Sequence, residues 1–116
     1  MTPFEPLSHT ELVASHCRHM TEDDQLSKDD IAAQLQALPG WRHHEGALRR
    51  SFDFANFHET MAFVNAIAWF IHREDHHPEL GVSYNRVGVA FNTHSAKGVS
   101  LNDFICAAKT NAVYGS

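Results

Sequence analysis

Apolar side chains recur along this chain with two different periods, and the switch between them divides it into elements. Phe57, Met61, Val64, Ala68 and Ile71 return every three or four positions, with Ile67 widening the stripe. That spacing predicts one long amphipathic helix. Pro78 marks its end, because the residue before a proline is pushed out of the helical region. On either side the period drops to two. Trp41 to His44 and Ala47 to Phe54 read as strands around a Glu45-Gly46 turn, with Leu48, Phe52 and Phe54 sharing one face. Val82 and Tyr84, then Val87, Val89 and Phe91, alternate about a tight turn at Asn85-Arg86.

A short helix closed by Pro39-Gly40 precedes the first hairpin. A last helix follows the Gly98 loop, with Phe104, Ile105, Ala108 and Val113 on its apolar side. Three capping signals open these helices. Ser27 before Asp30, Asn56 before Glu59 and Ser100 before Asp103 each place a side-chain oxygen three residues ahead of a carboxylate. The order is α-β-β-α-β-β-α. It predicts an α+β domain over residues 27–116, a four-stranded antiparallel sheet with three helices packed on one face. The other sheet face and the edges need cover, which favours self-association. Residues 1–26 show no sustained period and carry Pro3, Pro6 and several acidic groups, so they read as a loosely structured N-terminal arm.

Composition narrows the function classes. The chain has 116 residues, enough for one core, with 43% hydrophobic and 20% charged positions. The formal net charge of -5 lies within residues 1–30, and the remainder is neutral. Neither part has the basic footprint of a nucleic-acid binder. No apolar run approaches the roughly 20 residues needed to cross a bilayer, and the first ten residues lack a secretory pattern. Cys17 and Cys106 are far apart in sequence and form no CxxC pair, which fits a reducing cytoplasm.

Ten histidines are the unusual feature. They are densest in His72-Arg73-Glu74-Asp75-His76-His77-Pro78, at the expected end of the long helix. On a helical wheel Asn65, Trp69, His72 and His76 form a strip beside the apolar stripe, where a flat polar ligand could sit. His94 falls just past the last strand, at a strand end where scaffolds present reactive groups. Two imidazoles facing one substrate can carry out a dehydration without metal, one taking a proton from nitrogen and the other protonating the departing hydroxyl. His72 and His76 at i and i+4 also have zinc-ligand spacing, but no glutamate follows the first histidine and no third ligand has diagnostic spacing. Asp103 carries two readings together, a capping-box carboxylate and a site group. Tyr84 reads as sheet packing and Cys106 as a small buried helix residue.

The spacing His72-x3-His76-His77-Pro78-x5-Tyr84-x9-His94-x8-Asp103 resembles the signature of the pterin-4a-carbinolamine dehydratases. Tyr84-Asn85-Arg86-Val87, Thr93-His94, Leu101-Asn102-Asp103-Phe104 and Pro39-Gly40-Trp41 extend the resemblance over roughly residues 27–112. It implies dehydration of a 4a-hydroxytetrahydropterin to a quinonoid dihydropterin, recycling the cofactor of an aromatic amino acid hydroxylase. It implies His76 and His94 as acid–base groups, His77 as a pterin-holding and supporting histidine, and Asp103 as a nearby carboxylate, orienting His94. Asp75, Asn92, Thr93 and Ser95 would complete the pterin contacts. No cofactor of its own is implied, and the assembly would be a dimer or tetramer. The family's first signature position is often glutamate; here it is His72, which stays outside the catalytic set. The alternative from another class is a non-catalytic dimerisation or transcriptional-coactivator module, for which three spaced imidazoles have no use.

Overall fold

The computed structural model describes residues 4–115. Strands β1 (Arg42–His44), β2 (Ala47–Asp53), β3 (Glu79–Val82) and β4 (Arg86–Phe91) form one antiparallel sheet in the order β1-β2-β4-β3. Helices α2 (Lys28–Leu35), α3 (Phe57–Glu74) and α4 (Leu101–Tyr114) pack on one face of it, and a further helix, α1 (His9–Ala14), precedes them. The architecture is the α+β arrangement expected from the order of periods.

Register explains which face is covered. Leu48 pairs with Phe91, Arg50 with Val89 and Phe52 with Val87, and the five apolar members of these pairs are buried beneath the helices. The intervening pairs, Arg49 with Ala90 and Ser51 with Gly88, point to the uncovered face. Alternation therefore builds the core from one side of each strand. Arg50 reaches that core through Asn111, whose Oδ1 also accepts from the Trp41 indole at 2.7 Å. At the first hairpin Glu45 and Gly46 both take positive φ, the geometry a two-residue turn needs for strands of this twist.

Two expectations change. The inward side of α3 is Thr60, Phe63, Ile67 and Ile71, while Phe57 is 49% exposed and Ala68 is exposed. Helix α3 is apolar on two adjacent flanks, and spacing alone does not say which one the sheet takes. Tyr84, read as sheet packing, is also exposed and stacks on Phe57 with ring centroids 6.4 Å apart.

From residue 4 onward the N-terminal arm is ordered and packed, not loosely structured. Ser8 and Glu11 form a reciprocal capping box that starts α1, and this helix lies against α4. Leu12 and Met20 are fully or almost fully buried. Gln34, itself buried, pairs with both backbone groups of Leu7 at 2.9 and 2.8 Å. The arm gains its order from partners far along the chain, so no local period announces it.

Candidate active site

Helix α3 stops at Glu74 because Asp75 takes the left-handed conformation, φ 52°, as its cap. His76 and His77 therefore leave the helix and run toward β3 in an extended segment. This placement removes the helical i, i+4 pairing of His72 with His76. It also leaves Asn65, Trp69 and His72 on exposed positions, so the aromatic-amide strip expected beside the pocket is not there; Trp69 stacks instead under the Arg73 guanidinium.

His76 is held from behind by the start of α4. Its Nε2 lies 2.6 Å from Asp103 Oδ1, with the imidazole 12% exposed and the carboxylate fully buried. Asp103 Oδ2 accepts from Thr93 Oγ1 at 2.8 Å and from the Ser100 backbone N–H at 2.9 Å. The second contact is half of the capping box at the α4 N-terminus, so one carboxylate ends a helix and orients a histidine. The Ser100 hydroxyl, 2.7 Å from Thr93 Oγ1, closes the network. His76 also stacks on Phe91, rings 6.0 Å apart and 11° from parallel. A carboxylate accepting from Nε2–H fixes the tautomer and leaves the Nδ1 lone pair for a ligand. Asp103 acts on His76, not on His94 as expected, because the peptide entering η-turn His94–Ala96 offers it Thr93 and turns His94 outward.

One cavity of about 620 Å³ collects the residues named from sequence. His76, His77 and Asp75 come from the end of α3, and Asn92, Thr93, His94 and Ser95 from the end of β4. Asp103 does not line it and reaches it only through His76. His77 and His94 are exposed at its surface. Among the described residues no three His, Cys, Asp or Glu side chains are grouped as a metal site.

Sequence reasoning missed a further wall of the cavity. Cys17, Arg18, His19 and Met20, from the arm, line the same cavity. This strap is clamped on two sides. The Arg18 backbone N–H donates to Asn102 Oδ1 at 3.1 Å, and its carbonyl accepts from Asn102 Nδ2 at 2.7 Å. Glu74 accepts from the Cys17 N–H at 2.7 Å and bonds His16 Nδ1 at 2.8 Å, with Lys109 Nζ 3.7 Å away. Burial works against the charged form of Glu74, but these donors and the lysine outweigh it and hold its carboxyl below the usual range. Cys17 and Cys106, remote in sequence, bring their thiol sulfurs to 3.5 Å. The Cys17 contact and burial push the Cys106 thiol far up, so it is inert as a nucleophile. The Ser8-x-x-Glu11 box was the available signal for an ordered arm.

Comparison with known proteins follows the same lines. A family model described as Pterin 4 alpha carbinolamine dehydratase matches residues 24–113. A Stenotrophomonas maltophilia (strain K279a) protein, provisionally named pterin-4-alpha-carbinolamine dehydratase, is 55% identical over 93 residues, which are 78% of this chain and 80% of that protein. A Chromobacterium violaceum protein of the same provisional name is 48% identical over 103 residues, 89% of this chain and 95% of its own. The crystal structure of a transcriptional coactivator/pterin dehydratase from Brucella melitensis has a TM-score of 0.76 at 38% identity, covering 78% of this chain and 99% of that one.

Proposed function

The chain belongs to the pterin-4a-carbinolamine dehydratase family, and we propose that it removes water from a 4a-hydroxytetrahydropterin through His76 and His94. The observation that carries this reading is that both imidazoles line one cavity while a buried carboxylate fixes the tautomer of His76.

The reaction needs one proton taken and one given. His76, with Nε2–H tied to Asp103, has the Nδ1 lone pair to accept the proton on N5 of the pterin. As the N5–H electrons form the C4a=N5 double bond, the C4a–O bond breaks. The departing hydroxyl takes a proton from His94 and leaves as water. His76 then carries the proton taken from N5 and His94 lacks the one given to the hydroxyl, and exchange with solvent resets both. Asp103 faces the imidazolium formed at His76, so the charge develops beside a fixed counter-charge. His77 and the Asn92–Ser95 segment hold the ring. The product, a quinonoid dihydropterin, is the form an aromatic amino acid hydroxylase must have reduced before its next turnover, and recycling that cofactor is the role we assign.

The test is water loss from freshly generated 4a-hydroxytetrahydropterin, followed by absorbance with chelator present. Wild type should exceed the spontaneous rate, and His76→Ala and His94→Ala should each lower kcat by roughly 10²–10⁴-fold. A wild-type rate equal to the spontaneous one would sink the proposal. Two further elements belong to it. Exposed Trp69, Leu80 and Val82 support assembly of more than one copy. Free thiols at Cys17 and Cys106 support a cytoplasmic setting; among the described residues no helix is long and apolar enough to cross a membrane.

A further inference from the structure

We infer that the strap of residues 17–20 is a specificity-determining wall of the substrate cavity, on which Arg18 and His19 meet the substituent at C6 of the pterin. The inference rests on the dehydratase reading above and adds to it a surface that lies outside the family match, which begins at residue 24.

The strap is fixed before any ligand arrives. Asn102 consumes both backbone groups of Arg18, and Glu74 consumes the N–H of Cys17. Met20, 2% exposed, anchors the far end in the protein. The His19 carbonyl is taken by the Arg18 guanidinium at 3.2 Å, which also reaches Asp24 Oδ1 at 3.2 Å. With these four backbone groups satisfied internally, a ligand here meets chiefly side chains. Those of Arg18 and His19 are exposed, and among the described residues no hydrogen-bond partner takes up the His19 imidazole.

Substrate chemistry says which part of the ligand they meet. The reacting atoms, N5 and C4a, must lie between His76 and His94. C6 is bonded to N5, so its substituent begins one bond from the reacting centre. The polar pyrimidine edge, on the far side of the bicycle, is left to His77 and the Asn92–Ser95 segment. At about 620 Å³ the cavity has room for the bicyclic ring together with a short side chain. A dihydroxypropyl group there presents two hydroxyls to an imidazole that can donate or accept and a guanidinium that donates. A methyl group offers them nothing.

The experiment compares the Arg18→Ala/His19→Ala double variant with wild type on two substrates, the 4a-hydroxy forms of tetrahydrobiopterin and of 6-methyltetrahydropterin. In parallel, calorimetry measures binding of the stable 7,8-dihydrobiopterin and 6-methyl-7,8-dihydropterin. For the dihydroxypropyl compounds KM and Kd should rise roughly 5–20-fold, the loss of one or two hydrogen bonds. For the methyl compounds they should change less than about twofold. An Arg18→Lys/His19→Gln variant, which keeps donors in place, should recover most of the selectivity, and melting curves confirm that each variant is folded. Equal weakening for both side chains, or none for either, overturns the inference. If wild type accelerates neither substrate yet the calorimetric selectivity persists, the dehydratase reading falls and the strap stands. Failure of wild type to bind either dihydropterin overturns both.

Discussion

The two walls of the cavity are built by different physics. On one side, His76, Asp103, Thr93 and Ser100 form a closed network around a carboxylate with no solvent exposure, whose hydrogen bonds to His76, Thr93 and Ser100 are 2.6–2.9 Å long. On the other, a surface strap is held by Asn102 and Glu74 at its backbone, with the side chains of Arg18 and His19 left in solvent. A proton-transfer group must be positioned to within a fraction of an ångström and presented in one tautomer, and buried, fully satisfied hydrogen bonds supply that. A wall that sorts substrates by their side chain needs only to be present and polar. If His76 carries the reaction and the strap its selectivity, as proposed, the contrast means that the two can be perturbed separately.

The sharpest way to break the proposed catalytic wall without removing it is Asp103→Asn. Ser100 N–H and the Thr93 hydroxyl both donate to one carboxylate oxygen. The backbone donor cannot rotate, so the amide oxygen must take that place, and the amide NH2 then faces His76 Nε2. It demands a lone pair there, which moves the imidazole proton to Nδ1 and turns the base into a donor. Activity should fall by roughly 10²–10⁴-fold with a melting temperature close to wild type. Unchanged kcat in a folded Asp103→Asn protein would show that the tautomer of His76 is immaterial.

The same contrast separates what was legible in the sequence from what was not. Helix starts at Ser27, Asn56 and Ser100 were readable because capping is local, and each of these side chains accepts a backbone N–H in the structure. The hairpins were readable because alternation is local too. His76, His77 and His94 could be named together only through the family resemblance, and they share the cavity. The inward flank of α3 was readable only in part: Ile67 and Ile71 stood in the expected stripe, but Phe57 and Met61 are as apolar as the buried Phe63. Nor was the partner of Asp103, which depends on how a loop turns Thr93 inward. The strap was least legible of all. Its order comes from Glu74 and Asn102, more than fifty residues away, and a polar segment tied by distant partners looks locally like a loose one.

Asn102→Ala should affect the strap and leave the His76–Asp103 contact in place. It removes both clamps on Arg18, whose backbone groups then turn to water, at a cost of about 1–2 kcal/mol. Amide hydrogen exchange at Arg18 should accelerate toward the rate of an unprotected loop, while amides of β4 stay protected. Equal acceleration in both regions would mean that the two walls are one cooperative unit.

The smallest expected effect is a pH dependence confined to the strap. Glu74 titrates below its ordinary value in the folded protein, because the Cys17 N–H, His16 and Lys109 together outweigh its burial. A carboxyl depressed in this way contributes stability that is present above its unfolded value, near about 4.3, and is lost as pH falls through its lower folded value. Acidification should therefore loosen the Cys17 end of the strap, below about pH 4, through a bond the catalytic wall does not share. The amide resonance of Cys17, followed by NMR during an acid titration, reports that bond directly. Glu74→Gln keeps an acceptor for the N–H and cannot ionise, so its Cys17 resonance should stay flat over the range in which wild type moves. If both proteins show the same titration, the strap answers to some other acid, and its attachment is not the independent device that the two-wall comparison makes it.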